Sequence, residues 1–241
     1  GLSQGSVRSM LKDSRGFMWF GTLEGLNRYD GHHFRNFHTD VGAGDNTLLR
    51  GVQVFGIVED GRGDLWVGTE ECLNRYRRQD DLFDYYFSAG PDSSRVSGIT
   101  YPIAADEQRV WYLNDREGLC ELDLTTGHRR ILLDSILFST DYYSGGYALR
   151  DAHGRFWIQR SKGIYCFDPA RNRLESFFSD HPENLAGAAS KILCSFLDSR
   201  GALWLSTEQA FLRLDTAARQ YDTIRFEGGP GSPVISMADD G

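Results

Sequence analysis

Five tryptophans, at positions 19, 66, 111, 157 and 204, follow one another at intervals of 47, 45, 46 and 47 residues. A bulky residue returning at so regular an interval marks a chain made of one supersecondary unit copied in series. The local frame returns with it. An acidic turn precedes the ring as Asp13-Ser14-Arg15-Gly16, Asp60-Gly61-Arg62-Gly63, Asp151-Ala152-His153-Gly154 and Asp198-Ser199-Arg200-Gly201. The third copy is worn to Asp106-Glu107-Gln108-Arg109 and is one residue shorter. About six residues past each Trp stands a small residue: Gly25, Gly163 and Ala210, with Gly118 one later and Cys72 in place of Gly. A second strand follows, as in Leu26-Asn27-Arg28-Tyr29 and Leu73-Asn74-Arg75-Tyr76, and an aromatic or aliphatic segment such as Phe34 to Phe37 ends the unit.

Each unit thus predicts four short strands: a before the Asp turn, b carrying the Trp, c after the small residue, and d at the end. A four-stranded repeat of this length is a propeller blade. The expected fold is all-β, a β-propeller of four-stranded antiparallel blades. Five complete blades are expected over 7–38, 54–88, 99–133, 145–178 and 190–226. Val234 to Gly241 repeat strand a and its acidic turn, as Val54 to Gly61 do, and read as the start of a sixth blade. The first residue is Gly1 rather than Met, and the whole reads as a segment of a longer propeller, expected to have seven blades. A five-bladed ring with an extra edge strand is the alternative. The Trp is expected to fill the space between blades, because it buries up to about 250 Å². An Asp heading a turn is expected to accept backbone N–H groups. Asp13, Asp60, Asp151 and Asp198 are therefore structural rather than a catalytic pair, which would have to converge to about 5–10 Å.

Composition narrows the function. The 241 residues carry a net charge of −8 and no Lys/Arg run, which disfavours a phosphate backbone as partner. No apolar run of membrane-spanning length occurs, and no direct membrane contact is expected. Cys72, Cys120, Cys166 and Cys194 lack metal-ligand spacing and fall at different strand stations, so four reduced thiols are expected. The six histidines are scattered, and neither metal nor cofactor is expected. No nucleophile elbow, P-loop or dinucleotide fingerprint is present.

The opening stretch GLSQGSVRSMLKDSRGFMWFGTLEGLNRYDGHHF resembles the first blade of the two-component regulator propeller family, and EDGRGDLWVGTEECLNRY resembles the same repeat. Gly21-Thr22 and Gly68-Thr69 belong to that motif; Leu113-Asn114, Gln159-Arg160 and Ser206-Thr207 depart from it. The resemblance implies a periplasmic sensing domain of a bacterial inner-membrane receptor. Such a domain is followed by an immunoglobulin-like module, a membrane helix and a cytoplasmic output, often a histidine kinase and sometimes a diguanylate cyclase. It also implies an oligosaccharide or other small-molecule ligand, contacts with neighbouring receptor domains, and a homodimer in the full-length receptor. The fragment itself is expected to be non-catalytic. A propeller glycosidase, a lyase of the streptogramin-lyase type and a protein-interaction scaffold are the competing readings.

Ligands of propellers meet the face shared by the d–a and b–c loops, a fold-level analogy. The densest off-pattern cluster on those loops is Asp141, Tyr142, Tyr143, Tyr147, Arg160 and Lys162, around blade four. Rings stack on sugar faces, while Arg, Lys and Asp bind acid groups or hydroxyls. Tyr147 is large at a station, four before the turn Asp, that is otherwise Ser9, Gly56, Pro102, Cys194 and Ser236. Arg50 and Arg95, also in d–a loops, are secondary candidates.

Overall fold

The computed structural model describes residues 1–37, 47–86, 98–134, 148–160, 163–177, 192–207, 210–215 and 220–224. They form twenty strands in five four-stranded sheets, and in each sheet sequential neighbours pair antiparallel. Blade one is β1 (Val7–Lys12), β2 (Met18–Thr22), β3 (Gly25–Tyr29) and β4 (Phe34–Phe37). Blade two is β5 (Val54–Glu59), β6 (Leu65–Thr69), β7 (Leu73–Arg77) and β8 (Leu82–Tyr86). Blade three is β9 (Thr100–Ala105), β10 (Arg109–Asn114), β11 (Gly118–Asp123) and β12 (Arg129–Asp134). Blade four is β13 (Ala148–Arg150), β14 (Phe156–Arg160), β15 (Gly163–Asp168) and β16 (Arg173–Phe177). Blade five is β17 (Ile192–Leu197), β18 (Leu203–Thr207), β19 (Phe211–Asp215) and β20 (Gln220–Ile224). The expected β-propeller blades are therefore found. The strand expected over 234–241 lies outside the described residues. Among the described residues no helix is long and apolar enough to cross a membrane.

The chain divides into two compact units, Gly1–Ser139 with blades one to three and Thr140–Gly241 with blades four and five. In the first unit the core lies between blades. Trp19 packs with Leu26 and Phe37 of its own blade and with Leu65, Val67, Tyr76 and Phe83 of the next. Trp66 does the same toward Val110, Tyr112, Cys120 and Leu122 of blade three. In the second unit Trp157, Ile164 and Phe177 of blade four meet Ile192, Leu203, Leu205 and Leu212 of blade five. The first four tryptophans are buried, and Trp204 is half-buried. One twisted four-stranded sheet has two apolar faces and cannot bury either alone, so Trp19, Trp66 and Trp157 are placed where two sheets meet.

That contact explains the Gly of the Gly-Thr pair. A Cβ on Gly68 would sit 2.0 Å from the Thr100 carbonyl oxygen of blade three. Strand b can lie against the next blade's strand a only without a side chain there. The a–b turn has a similar explanation. Gly16, Gly63, Gly154 and Gly201 adopt φ between +79° and +88°, the left-handed region that glycine enters without penalty. Their turns close as Asp13 N to Phe17 O and its three counterparts. Blade three has no glycine in this turn, and closes one residue sooner, from Asp106 N to Arg109 O.

Salt links join the first two blades. The Ser14 N–H and hydroxyl donate to the two Glu59 carboxylate oxygens at 2.7 and 2.6 Å. The buried Arg78 guanidinium reaches Asp13 Oδ2 at 2.9 Å and Glu59 Oε1 at 3.1 Å. Arg35 of β4 pairs with Asp81 in the c–d turn of blade two.

Candidate functional site

The repeated turn carboxylates are occupied. Asp13 Oδ1 accepts the N–H of Arg15 and of Phe17, while its Oδ2 accepts the Trp19 indole N–H at 2.6 Å. Asp60 does the same for Arg62, Asp64 and Trp66, Asp151 for His153, Arg155 and Trp157, and Asp198 for Arg200, Ala202 and Trp204. At Asp151 burial favours the neutral acid, but the Trp157 indole and Arg155 outweigh it and hold the carboxyl below its ordinary value. At Asp198 the Trp204 indole and the Ala202 N–H do so. Each of these carboxylates serves its own turn and indole on its own blade. The indole bond was not anticipated from sequence, although the constant six-residue spacing of Asp and Trp could have pointed to it.

The opposite ends of the strands carry the d–a and b–c loops, and hydrogen bonds tie them together. In blade two the Thr69 hydroxyl lies within hydrogen-bond reach of the Arg50 carbonyl, at 2.9 Å, and the Cys72 carbonyl, at 3.1 Å, and its single O–H serves one or the other. The Asn74 amide donates to the Arg50 and Val67 carbonyls, and its oxygen accepts the Arg50 N–H. Blade one repeats this with Thr22 on the Gly25 carbonyl and Asn27 on Ser3. The Thr and Asn of the sequence motif are thus the clasps of this face. Glu70 spends both carboxylate oxygens on the Val52 and Gln53 N–H groups. Arg50 lies over the Tyr85 ring at 4.6 Å and is a packing residue of the face. In blade three Asn114 replaces the Thr and accepts the N–H of Arg116 and Glu117. Beside it Asp115 is half-buried, burial pushes its carboxyl above the ordinary range, and its Oδ1 has no hydrogen-bond partner among the described residues.

Asp141, Tyr142, Tyr143, Tyr147 and Lys162 lie outside the described residues, as does Arg95. Arg160 ends β14, opposite Gly163 in the ladder with β15. Among the described residues no three His, Cys, Asp or Glu side chains are grouped to hold a metal ion. The four cysteines are free and buried; burial pushes the Cys72 and Cys120 thiols up to about 12 and Cys166 to about 11.

One group on this face escaped the sequence reading. The first strands of the three blades in unit one stand side by side, β1 against β5 and β5 against β9. At their loop ends sit Arg8, Phe55 and Tyr101. The Arg8 guanidinium lies 5.1 Å from the Phe55 ring centroid, and the Phe55 and Tyr101 rings meet edge-on at 5.3 Å. All three stand five residues before the turn Asp, one place from the station at which Tyr147 drew attention.

The two component regulator propeller family model matches residues 1–24 and 48–71. No curated protein matches the chain. Among solved structures, the chain is similar to the extracellular domain of the hybrid two component system BT3049 from B. thetaiotaomicron, at 18% identity and a TM-score of 0.71, with 93% of this chain and 31% of that one covered. The extracellular domain of BT4673 from the same organism aligns at 23% identity and a TM-score of 0.70, over 96% of this chain and 32% of that one. PorZ, a surface component of the type-IX secretion system of Porphyromonas gingivalis, aligns at 14% identity and a TM-score of 0.58, over 90% of this chain and 33% of that one. The chain thus spans about a third of the length of the solved structures it matches, and at these identities they speak for the fold alone. The matched segments fall on strands a and b of the first two blades and include the Thr22 and Thr69 clasps, so over those residues the chain is similar to the repeat of the two component regulator propeller family.

Proposed function

We propose that this chain is the extracytoplasmic sensing propeller of a bacterial two-component receptor and is not itself an enzyme. The observation that carries the reading is the family match over residues 1–24 and 48–71, which holds both copies of the Gly-Thr pair. The similar folds described as extracellular domains of hybrid two component systems support it. The repeated carboxylates supply no catalytic pair, since each is consumed by its own turn and indole. The loop face is the surface that a ligand or a neighbouring receptor domain would contact. Binding there acts on output only through a difference in affinity between the receptor's two states. An oligosaccharide is the ligand class proposed. Asp141, Tyr142, Tyr143, Tyr147, Arg160 and Lys162 are a proposed contact set on blade four. The receptor is proposed to be anchored in the inner membrane and to work as a homodimer.

A thermal-shift screen of the chain against oligosaccharides tests the reading, because a ligand that binds only the folded state raises the melting temperature. Hits without turnover support it, and hydrolysis or elimination of a hit overturns it. In the full receptor, replacing Tyr143 and Arg160 together by Ala is expected to abolish the response and leave the melting temperature unchanged; a normal response removes the blade-four site. The similarity to PorZ favours one second reading, a surface scaffold whose loop face holds a protein. Co-purification of a stoichiometric partner, with no small-molecule hit, would select it.

A further inference from the structure

We infer that Arg8, Phe55 and Tyr101 form a binding site for a ligand that carries a carboxylate on a ring. The inference rests on the sensor reading and deepens it.

The site begins with two irregularities in the ladders. Pairing of β1 with β2 steps from Val7↔Thr22 to Ser9↔Gly21, so Arg8 is an extra residue. Pairing of β5 with β6 steps in the same place, from Val54↔Thr69 to Gly56↔Gly68, and leaves Phe55 extra. A bulge re-aims the side chain it carries and is a recurrent device beside binding sites. Here it takes both residues out of the in–out alternation that fills the core. Val54 and Ile57 of the same strand belong to the core between blades one and two, and Phe55 does not. Blade three obtains the same placement differently. Its ladder shift falls at Ile103, one past Pro102, and Tyr101 stays paired opposite Leu113. Proline has no N–H for the ladder and is tolerated at bulges and edges.

The result is a row along three adjacent strands. Its aromatic part is Phe55 with Tyr101 edge-on, both half-exposed. Its cationic end is Arg8, exposed and laid over the Phe55 ring. Among the described residues Arg8 has no ion pair and no hydrogen bond. A guanidinium stacked on a ring keeps its in-plane N–H groups free, and those groups match a carboxylate in two parallel bonds. The stacking also holds the side chain in place before the ligand arrives, which lowers the ordering cost of binding. The remaining ring surface is apolar, with electron-rich faces that accept the C–H groups of a flat partner. An anion joined to a ring meets both halves at once, whereas a free anion or a neutral ring meets one. A uronic acid and an aromatic acid share this chemistry.

The test is calorimetric titration of the chain with three probes: trigalacturonate, 4-hydroxybenzoate and the neutral sugar galactotriose. Binding of either acid, with galactotriose at least tenfold weaker, is expected, and which acid binds identifies the source of the carboxylate. Arg8→Gln and Phe55→Leu should each weaken that binding tenfold or more, while Arg62→Gln, in the a–b turn at the other end of β5, leaves it unchanged. Unchanged melting temperatures for the variants show that folding is intact. The inference is overturned if neither acid binds, if galactotriose binds as well as the acids, or if Arg8→Gln binds like the parent. The sensor reading fails separately. Arg8-dependent binding with no output from a receptor carrying this chain upholds the site and sinks the sensor; output without Arg8-dependent binding sinks the site and leaves the sensor.

Discussion

Blades two and three fold from the same repeat and satisfy the same buried indole in opposite ways. In blade two the acceptor is Asp60 of the a–b turn, and the residue paired opposite Trp66 is Arg75, whose guanidinium lies 5.6 Å from the indole and pairs with Asp64. In blade three the turn is a residue short, and Asp106 caps only the N–H groups of Gln108 and Arg109. The residue paired opposite Trp111 is now Glu121, which takes the indole N–H at 2.9 Å and is flanked by Arg109 and Arg130. The sign of the cross-strand residue has inverted along with the reach of the turn. What both blades keep is an anionic acceptor for a buried donor, because leaving that donor unpaired costs about 1–3 kcal/mol. A repeat is therefore held together by satisfied groups rather than by fixed residues.

That difference can be broken by mutation. Trp66→Ala carries the largest expected effect in blade two, a loss of about 3–5 kcal/mol in urea unfolding, since the ring is fully buried between two blades. Next is Asp60→Ala, which strands the indole and two backbone N–H groups and should cost about 3 kcal/mol. Glu121→Gln retains an amide oxygen and should cost about 1 kcal/mol. Equal losses for these two variants would mean that the blades do not differ in the way described. The transplant is sharper. Arg75→Glu in blade two loses the pair with Asp64 and brings a third carboxylate beside Asp60. Adding Asp60→Asn should recover about 1 kcal/mol in a double-mutant cycle, and a purely additive cycle would refute the exchange.

Acid provides a weaker perturbation. Asp151 and Asp198 are held below their ordinary value of 3.8 when folded. Their contribution is fully present above that value and is lost as pH falls through the lower folded values. Tryptophan fluorescence should therefore report a transition that begins below about pH 4, and Asp198→Asn should flatten it. A profile unchanged by that substitution removes the indole–carboxylate link as its cause. The smallest expected effect is none. Burial raises the thiols of Cys72 and Cys120 alike to about 12, so both should resist alkylation in native protein at pH 8. These two thiols add stability below their unfolded value of 9.0 that fades as pH rises toward 12. Labelling of one but not the other would show that the two blade interfaces differ in tightness.

Much of this architecture was legible because it is periodic. Trp19 and its four counterparts mark every blade, the Asp-x-x-Gly turns mark four of the five, and the Leu-Asn-Arg-Tyr strands mark the first two. Several roles were visible only in part. The turn Asp reads as a cap, yet its second oxygen serves an indole on the next strand. Gly-Thr reads as a family motif, yet Thr69 is a clasp on the Arg50 carbonyl and Gly68 is the space taken by the next blade. The candidate site was harder still. Off-pattern loop residues led to blade four, whereas the described loop face groups Arg8, Phe55 and Tyr101, which a sequence separates by 47 and 46 positions.

By itself the sequence determined the repeat, the strand count of each blade and the place of each turn. Those depend on local chemistry: a left-handed glycine, a carboxylate two to four residues before the N–H groups it caps, and an apolar ring once per unit. Only the tertiary structure decided which side chains leave the core. A ladder shift of one residue at Arg8 and at Phe55 turns these side chains out of the alternation that fills the core. No strand read alone shows that shift, because an extra residue is defined only against the partner strand it is paired with.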